Sequence, residues 1–337
     1  MKKRYRQWLS FIIILLIMAI VSILISLISG DLKISIKDIP GILNTKSGLP
    51  YTILYKIRLP RIVLGFAIGG SLSLAGVILQ GIYRNPLVEP YTLGISGGAA
   101  VGVAIAIVFA MHLQFGTFLL PLFGFVGALI TIFLVYLFSV RKGEINIKNM
   151  LLIGVMISFI ASSVMMFILA TTTSDTAYNI IFWTMGSLEE PNTSLIKLTT
   201  IIAICGLILS YFFARPLNAL RLGQTKAKHL GINTEMTIRM LFVISSVLTG
   251  VSVSVAGVIG FVGLVIPHLI RSIIGSDFRI LLIGSFLGGG IFLVLSDVLA
   301  HTLISPNELP VGVITGIIGG SAFIFVLTRS KFKTVLK

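Results

Sequence analysis

The chain has 337 residues, of which 56% are hydrophobic and 11% are charged, with a formal net charge of +15. A soluble domain carries roughly 25% charged residues, so this composition excludes a water-soluble protein. A bilayer takes ~20 apolar residues per helical crossing, which leaves room for about ten crossings and only short loops. We therefore expect an all-α, polytopic membrane protein that forms a single transmembrane domain over residues 1–337.

The first predicted helix, 8–28, follows a basic stretch at residues 2–6. A signal peptide has a similar basic start, but its apolar core is usually only 7–15 residues long. This run is close to the ~20 residues of a full crossing, and no small-x-small cleavage site precedes Gly30. These features favour a retained first transmembrane helix over a cleaved signal peptide.

Charged or turn-rich breaks separate the apolar runs that follow. The ten predicted spans are 8–28, 61–82, 93–111, 117–139, 150–170, 195–214, 237–256, 258–273, 280–300 and 309–327. The stretch 237–273 also fits one long helix with a re-entrant piece. We expect short helical turns in the loop 29–60, where Pro40 and Gly48-Leu49-Pro50 act as breakers.

The distribution of lysine and arginine predicts the orientation of the helices. If the N-terminus is cytoplasmic, 19 of the 26 basic residues fall on the cytoplasmic side and 7 on the external side. This bias follows the positive-inside rule. We therefore expect both termini in the cytoplasm and an even number of helices, and the basic charge needs no nucleic-acid partner.

Small residues recur every four positions along several predicted helices, a pattern that lets helix backbones approach closely in a membrane. They are Gly65, Gly69 and Ser73; Gly98, Gly102 and Ala106; Gly284 and Gly288; and Gly312, Gly316 and Gly320. The pattern predicts a tightly packed bundle.

The sequence lacks several motifs that would indicate nucleotide binding, metal binding or catalysis. It contains neither a G-x-x-x-x-G-K-[ST] phosphate loop nor an H-E-x-x-H motif, its one cysteine, Cys205, lies in an apolar run, and its four histidines are far apart. We therefore expect a transport subunit that is not an enzyme and that binds no cofactor or metal.

Ionisable groups deep in a membrane usually mark proton or ion pathways. Of the eleven acidic residues, only Asp297 lies inside a predicted span, about one turn from its external end. A lone aspartate fits a structural hydrogen-bond anchor, with a proton carrier as the alternative. We therefore expect another subunit to supply the energy for transport.

Four segments have unusual residue combinations. They are Arg58-Leu59-Pro60-Arg61; the segment from Gln80 through Asn85 and Pro86 to Pro90; the run 257–271, which contains Pro267, His268 and Arg271; and Ser296-Asp297 with Glu308-Leu309-Pro310-Val311-Gly312. The second ends one helix sharply and starts another. Three glycines before Pro267 predict a broken helix, which a membrane tolerates where neighbours satisfy the freed backbone groups. His268 fits either a structural residue or a ligand.

Together these segments resemble the permease family of bacterial iron–siderophore and cobalamin ABC importers, the FecCD family, over nearly the whole chain from Arg58 to Phe325. The resemblance implies ten helices per subunit, a dimeric permease with its pathway on the twofold axis, and a location in the bacterial cytoplasmic membrane. It also implies two cytoplasmic ATPase subunits, which bind ATP and Mg²⁺, and an extracytoplasmic substrate-binding protein. The second permease subunit is either an identical chain or a paralogue.

By this resemblance, Arg58 and Arg61 take part in docking acidic residues of the binding protein, whereas the residues alone also fit interfacial snorkelling. A further arginine usually follows the aspartate near the end of the ninth helix. His301 takes its place here, which would make that contact weaker or pH-dependent.

The loop 215–235 resembles the segment that couples the permease to each ATPase, with a solvated basic loop as the alternative. Two short helices around Gly223, followed by a turn at Gly231, would present apolar faces. The candidate coupling residues are Leu220, Leu222, Gly223, Ala227, Leu230 and Gly231. Relatives commonly have an acidic pair after Gly223, where this chain has Gln224-Thr225-Lys226.

By resemblance, the fifth and tenth helices line the pathway. The candidates are Ser158, Ser162, Met166, Thr171 and Thr172, for which internal packing is the alternative.

The leading hypothesis is a permease for an iron(III)–siderophore complex or related chelate, with cobalamin, haem and molybdate as other cargoes. The rivals are an ion- or proton-coupled secondary transporter, and an intramembrane enzyme or scaffold.

Overall fold

The structure is a computed structural model that describes all residues except 1, 31, 33, 112, 114, 115, 117, 142, 143, 146, 191, 336 and 337. The elements of the first half are α1 (Lys2–Ile28), α2 (Ile39–Thr45), α3 (Leu49–Tyr51), a π-helical segment (Thr52–Arg58), α4 (Leu59–Tyr83), a 3-10 helix (Pro90–Leu93), α5 (Ile95–Val108), α6 (Leu119–Ser139), β1 (Val140–Arg141), β2 (Glu144–Ile145) and α7 (Ile147–Thr171). Those of the second half are α8 (Ser174–Thr184), α9 (Thr193–Phe212), α10 (Ala214–Leu220), α11 (Gln224–His229), α12 (Thr234–Ala256), α13 (Val262–Ile274), α14 (Phe278–Thr302) and α15 (Val311–Val335).

Helix α4 forms the centre of the bundle. It packs against α14, α12, α9 and α13, and 89% of its most apolar stretch is buried inside the chain. The corresponding share is only 28% for α1 and 11% for α7. Since lipid is as apolar as leucine, exposed apolar faces of outer helices are expected in a membrane. The chain therefore has one buried axial helix with lipid- or partner-facing helices around it.

Close backbone contacts explain how α4 reaches the centre. The backbone of Gly69 meets that of Gly289 on α14, and Gly76 meets Gly263 on α13. Gly312 likewise lies against the backbone of Met185. The tight packing predicted from the glycine pattern is confirmed at Gly69 and Gly312, whereas Gly316 faces open space.

Replacing Gly76 by alanine should disrupt this packing. A Cβ atom at residue 76 would overlap the carbonyl oxygen of Gly263, and backbone atoms cannot move aside as a side chain does. We expect Gly76→Ala to destabilise the chain by about 3 kcal/mol or more. Thermal unfolding in detergent measures this change, with Gly316→Ala as the matched control. Equal melting temperatures for the two variants would contradict the packing described.

Seven helices in the described part of the chain are long and apolar enough to cross a membrane by length and composition. They are α1, the run Leu49–Tyr83 that contains α4, α6, α7, α9, α12 and α14. Three shorter apolar helices are α5, α13 and the Val311–Val326 part of α15. The predicted all-helical membrane fold is confirmed, while the count of ten crossings stays a prediction.

The structure differs from the predicted elements in five places, one of which is α15, which continues to Val335, beyond its predicted end at 327. Helix α1 begins at Lys2, and the helical run containing α4 begins at Leu49, about three turns before the predicted start. Helix α8 was not predicted, and β1 pairs with β2 in a two-residue antiparallel hairpin. The predicted start of the fourth span, at residue 117, lies outside the described residues.

Candidate functional site

One end of the bundle carries a buried ion-pair cluster around Arg61, in the first turn of α4. Its Nε donates to both carboxylate oxygens of Asp297 on α14, at 3.0 and 2.9 Å. Its two terminal nitrogens donate to Glu308 at 2.7 Å and to Glu189 at 3.3 Å. The guanidinium thus joins α4, α14, the segment before α15 and the segment after α8. The hydrogen bonds of Asp297 to Arg61 fit the structural anchor suggested by the sequence, and that role stays a prediction.

The charges of this cluster do not balance. Arg61 is 10% exposed and Asp297 is 4% exposed, whereas Glu189 and Glu308 are 62% and 43% exposed. Three carboxylates therefore surround a single buried guanidinium. The cluster itself therefore carries an excess of negative charge while His301 is neutral. His301 lies one turn from Asp297, with 3.8 Å between Nδ1 and Oδ2, and adds a positive charge only when protonated.

Arg58 is turned into the chain rather than outward. It is 8% exposed, and its guanidinium donates to the carbonyl oxygens of Leu27, at the end of α1, and Leu32. Arg58 therefore ties the end of α1 to the start of α4. Both arginines that were predicted to dock a partner are engaged within the chain, and their docking role stays a prediction.

A cavity of about 460 Å³ opens at the same end, between α5, α8, α12 and the segment 187–190. Asn179, Trp183, Glu189 and Glu190 are among its lining residues. Burial raises the pKa of Glu190, and the hydrogen bond from the backbone N–H of Asn192 opposes that rise. Glu189 belongs to both this cavity and the Arg61 cluster, so the two adjoin each other.

The predicted break between 237–256 and 258–273 is confirmed. Helix α12 ends at Ala256 and α13 begins at Val262, with positive φ angles at Gly257 and Phe261. The phenol of Tyr91 donates to the carbonyl of Ile259 at 2.6 Å and accepts its N–H at 3.1 Å. The break thus has a neighbour that satisfies its freed backbone groups, as a membrane environment requires.

Gln80 and Arg271 link this break to the opposite end of the bundle. The amide of Gln80 donates to the carbonyl of Gly263 at 3.2 Å, and its oxygen accepts from Arg271 at 3.0 Å. Arg271 lines a pocket of about 260 Å³ together with Arg84 and Arg221. No carboxylate is among the described lining residues, so three arginines make this pocket strongly cationic.

Glu89, in the connection between α4 and α5, gives a pH-dependent prediction. Burial raises its pKa to about 7, and the hydrogen bond from the N–H of Phe261 opposes the rise. A raised carboxyl pKa means that stability is lost as pH rises from the unfolded pKa, about 4.5, through 7. Glu89→Gln should therefore be more stable than the wild type at pH 8, by on the order of 2 kcal/mol, and equal to it at pH 4.5.

Thermal unfolding at these two pH values in one detergent measures the effect. The low-pH pair of melting temperatures serves as the control, because both proteins are then neutral at position 89. A stabilisation of the same size at both pH values would contradict the assignment to ionisation.

The segment 215–235 forms the two short helices predicted, α10 and α11. They turn at Gly223, with φ +105°, and the chain turns again at Gly231, with φ +79°. Leu220 and Ala227 are buried within the chain, at 2% and 0% exposure. Leu222 and Leu230 are 58% and 62% exposed. The segment therefore presents two leucines outward, next to the pocket that contains Arg221.

The candidate pathway residues lie on α7, the least buried of the seven long helices. Met166 is 69% exposed and Ser162 is also exposed, whereas Ser158 is half-buried and donates to the carbonyl of Gly154 at 3.0 Å. Thr171 is exposed and donates to its own helix, and Thr172 follows the last residue of α7. The side of α7 with Ser162 and Met166 is open to a pathway, a partner or lipid.

The other motif residues have structural contacts. Asn85 accepts the N–H of Leu87 at 3.0 Å after α4 has ended, and Pro86 lies in that turn. Pro267 lies buried inside α13. His268 packs edge-to-face on Phe323 of α15, with 5.9 Å between ring centroids, and no group of three metal-ligating side chains occurs in the described residues.

Sequence reasoning missed two features of these sites. It did not predict the contact between Glu189 and Arg61, because the two residues are 128 positions apart in the sequence. Helix α8 carried a signal that was not used: the hydroxyl of Thr173 caps it by accepting the N–H of Thr176, and Asp175 lies in its first turn. Both residue types are typical of a helix start.

Comparison with known proteins agrees with this architecture. The model of the FecCD transport family matches residues 16–329. The uncharacterized ABC transporter permease YvrB of Bacillus subtilis is 37% identical over 92% of this chain and 90% of its own length. The hemin transport system permease HmuU of Yersinia pestis is 35% identical over 97% and 96%. A solved structure described as a metal-chelate type ABC transporter in an inward-facing conformation has a TM-score of 0.84 and 28% identity, covering 96% of this chain and 99% of its own.

The family match and the helical bundle thus identify a multi-pass membrane protein of the ABC transporter permease class. The chain belongs to the FecCD transport family. It is a transport subunit and not an enzyme.

Proposed function

We propose that this chain is the permease of an ABC importer that carries an iron(III)–siderophore complex or a related metal chelate across the cytoplasmic membrane. The proposal includes both termini in the cytoplasm, one domain over 1–337, and a dimer with a second copy or a paralogue. One observation carries it. The buried bundle presents a pair of short helices, α10 and α11, whose exposed leucines have no partner surface within the described chain.

The cytoplasmic end is where an ATPase would dock. Leu222 and Leu230 are exposed apolar groups next to the cationic pocket of Arg84, Arg221 and Arg271. A buried apolar contact supplies affinity, and surrounding charges set orientation. Since this segment lacks the acidic pair common in the family, the complementary ATPase surface is an apolar cleft with acidic residues. ATP and Mg²⁺ belong to that subunit.

The external end is where the substrate-binding protein would dock. The exposed carboxylates of the Arg61 cluster are Glu189 and Glu308, while Arg61 lies behind them. An acidic residue of the binding protein would have to displace these glutamates from Arg61, and protonated His301 would favour the exchange. Docking would thereby act on Glu308, which lies just before α15, a helix that lines the pathway in the family.

The uptake of defined cargoes tests the proposal. The permease is reconstituted with its ATPase and binding protein, and ATP-dependent uptake is compared for a ferric siderophore, cobalamin, haemin and molybdate. We expect the ferric siderophore to be carried and to be displaced by related chelates only. Preference for haemin would favour the cargo in the name of the Yersinia relative, and uptake of none of the four would contradict metal-chelate import.

A further inference from the structure

A groove of about 690 Å³ runs along the outside of the bundle, at the end that carries α10. It lies between α1, α9 and α14, and the first residues of α10 close one side. Its lining includes Trp8 and Leu9 of α1, Tyr211 of α9, Arg215 of α10 and Arg279 of α14. None of the candidate pathway residues takes part in it.

The groove is positively charged. Asp277 lies beside it, but its carboxylate already accepts from Arg4 at 3.2 Å, from Asn218 at 3.0 Å and from the backbone N–H of Arg279 at 3.1 Å. Neither Arg215 nor Arg279 forms an ion pair within the described residues. Among the described residues, the two arginine side chains of this groove therefore have no counter-charge within ion-pair distance.

The rest of the lining suits an acyl chain and the membrane interface. Leu9 is 61% exposed and Phe212 is 74% exposed, and Ile12 also lines the groove. Tryptophan and tyrosine, here Trp8 and Tyr211, are typical of the level at which lipid headgroups begin. The groove thus combines apolar side chains, aromatic rings and two cations, the three kinds of group that fit the tails, interface and phosphate of a phospholipid.

We propose that this groove binds one anionic phospholipid, whose phosphate contacts Arg215 and Arg279 and whose acyl chains lie on Leu9 and Ile12. Arginine pairs bind phosphate oxygens in forked geometry, and basic pockets between helices on the cytoplasmic side bind anionic headgroups. Because Arg215 begins the segment proposed to couple to the ATPase, and Asn218 holds that segment to Asp277, the bound lipid supports the position of α10.

Lipid binding to the purified permease, without ATPase or cargo, tests this inference. It is therefore separable from the proposed function. Native mass spectrometry compares phosphatidylglycerol with phosphatidylcholine of identical chains. We expect tighter binding of phosphatidylglycerol, and a loss of about fivefold in that preference for each arginine removed, in Arg215→Gln and Arg279→Gln. Together the two changes should lower the preference about 25-fold.

Two controls sharpen the test. Lys226→Gln/Lys228→Gln removes the same charge from α11, outside the groove, and should keep the preference. Arg215→Lys/Arg279→Lys keeps the charge and should retain most of it. Equal binding of the two lipids, or an unchanged preference in the double glutamine variant, would overturn the inference. Competition by inorganic phosphate at equal concentration would also overturn it, since the site would then hold a free anion. Lipid binding to the monomer but not to the dimer would overturn it as well, since a second copy of the chain would then cover the groove.

Discussion

Replacing Arg61 by methionine is expected to destabilise the chain by about 3–5 kcal/mol. The change removes the only cation that contacts Asp297 within hydrogen-bond distance among the described residues, and leaves a carboxylate of 4% exposure without compensation. The same substitution frees Glu189 and Glu308, which loosens the segments after α8 and before α15. Thermal and chemical unfolding in detergent measure the loss of stability.

The double variant Arg61→Met/Asp297→Leu isolates the buried pair. Because an apolar pair replaces a buried ion pair at little cost, we expect it to be more stable than Arg61→Met alone. Lys197→Met is the matched control, since Lys197 is exposed, and it should change stability by less than about 0.5 kcal/mol. A double variant less stable than Arg61→Met would show that Arg61 does not act through Asp297.

Replacing Leu222 by glutamate is expected to reduce ATP-dependent uptake at least tenfold. Leu222 is 58% exposed at the turn between α10 and α11, so the change should leave the fold intact. At the proposed ATPase contact, however, it removes about 1.5–3 kcal/mol of apolar burial and adds a charge that must be desolvated. A loss of 1.4 kcal/mol alone lowers affinity tenfold.

Co-purification of the ATPase, together with uptake, measures this effect. Leu49→Glu places the same charge on a leucine of 66% exposure at the opposite end of the bundle, and should leave ATPase binding unchanged. If Leu222→Glu retained the ATPase and Leu49→Glu released it, the assignment of the two ends would be reversed.

Much of the fold was predictable because the membrane imposes simple rules on the sequence. Apolar length identified the helices, and three glycines before Pro267 identified the break between α12 and α13. Asp297, the one acid inside a predicted span, was expected to be a hydrogen-bond anchor or a proton carrier, and an anchor needs a partner. The hydrogen-bond partner of Asp297 was not predictable, since Arg61 and Asp297 are 236 positions apart in the sequence. A single sequence does not show which residues far apart in the chain lie close together in the fold.

The limits of the sequence are clearest at Arg58. A basic residue at the start of a helix indicates a surface cation, but the carbonyl groups of Leu27 and Leu32 draw its guanidinium inward. Such carbonyl groups become available only once the end of α1 is placed beside α4. The sequence also could not predict the burial of Leu220. Leu220 and Leu222 are equally apolar, but the structure buries Leu220 and exposes Leu222.

The source of energy tests the central claim most directly. The permease is placed in proteoliposomes with its binding protein and a labelled ferric siderophore, with and without the ATPase, and with ATP or an imposed proton or sodium gradient. We expect uptake only when both the ATPase and ATP are present. Uptake by the permease without the ATPase, driven by a gradient, would contradict the account and identify a secondary transporter.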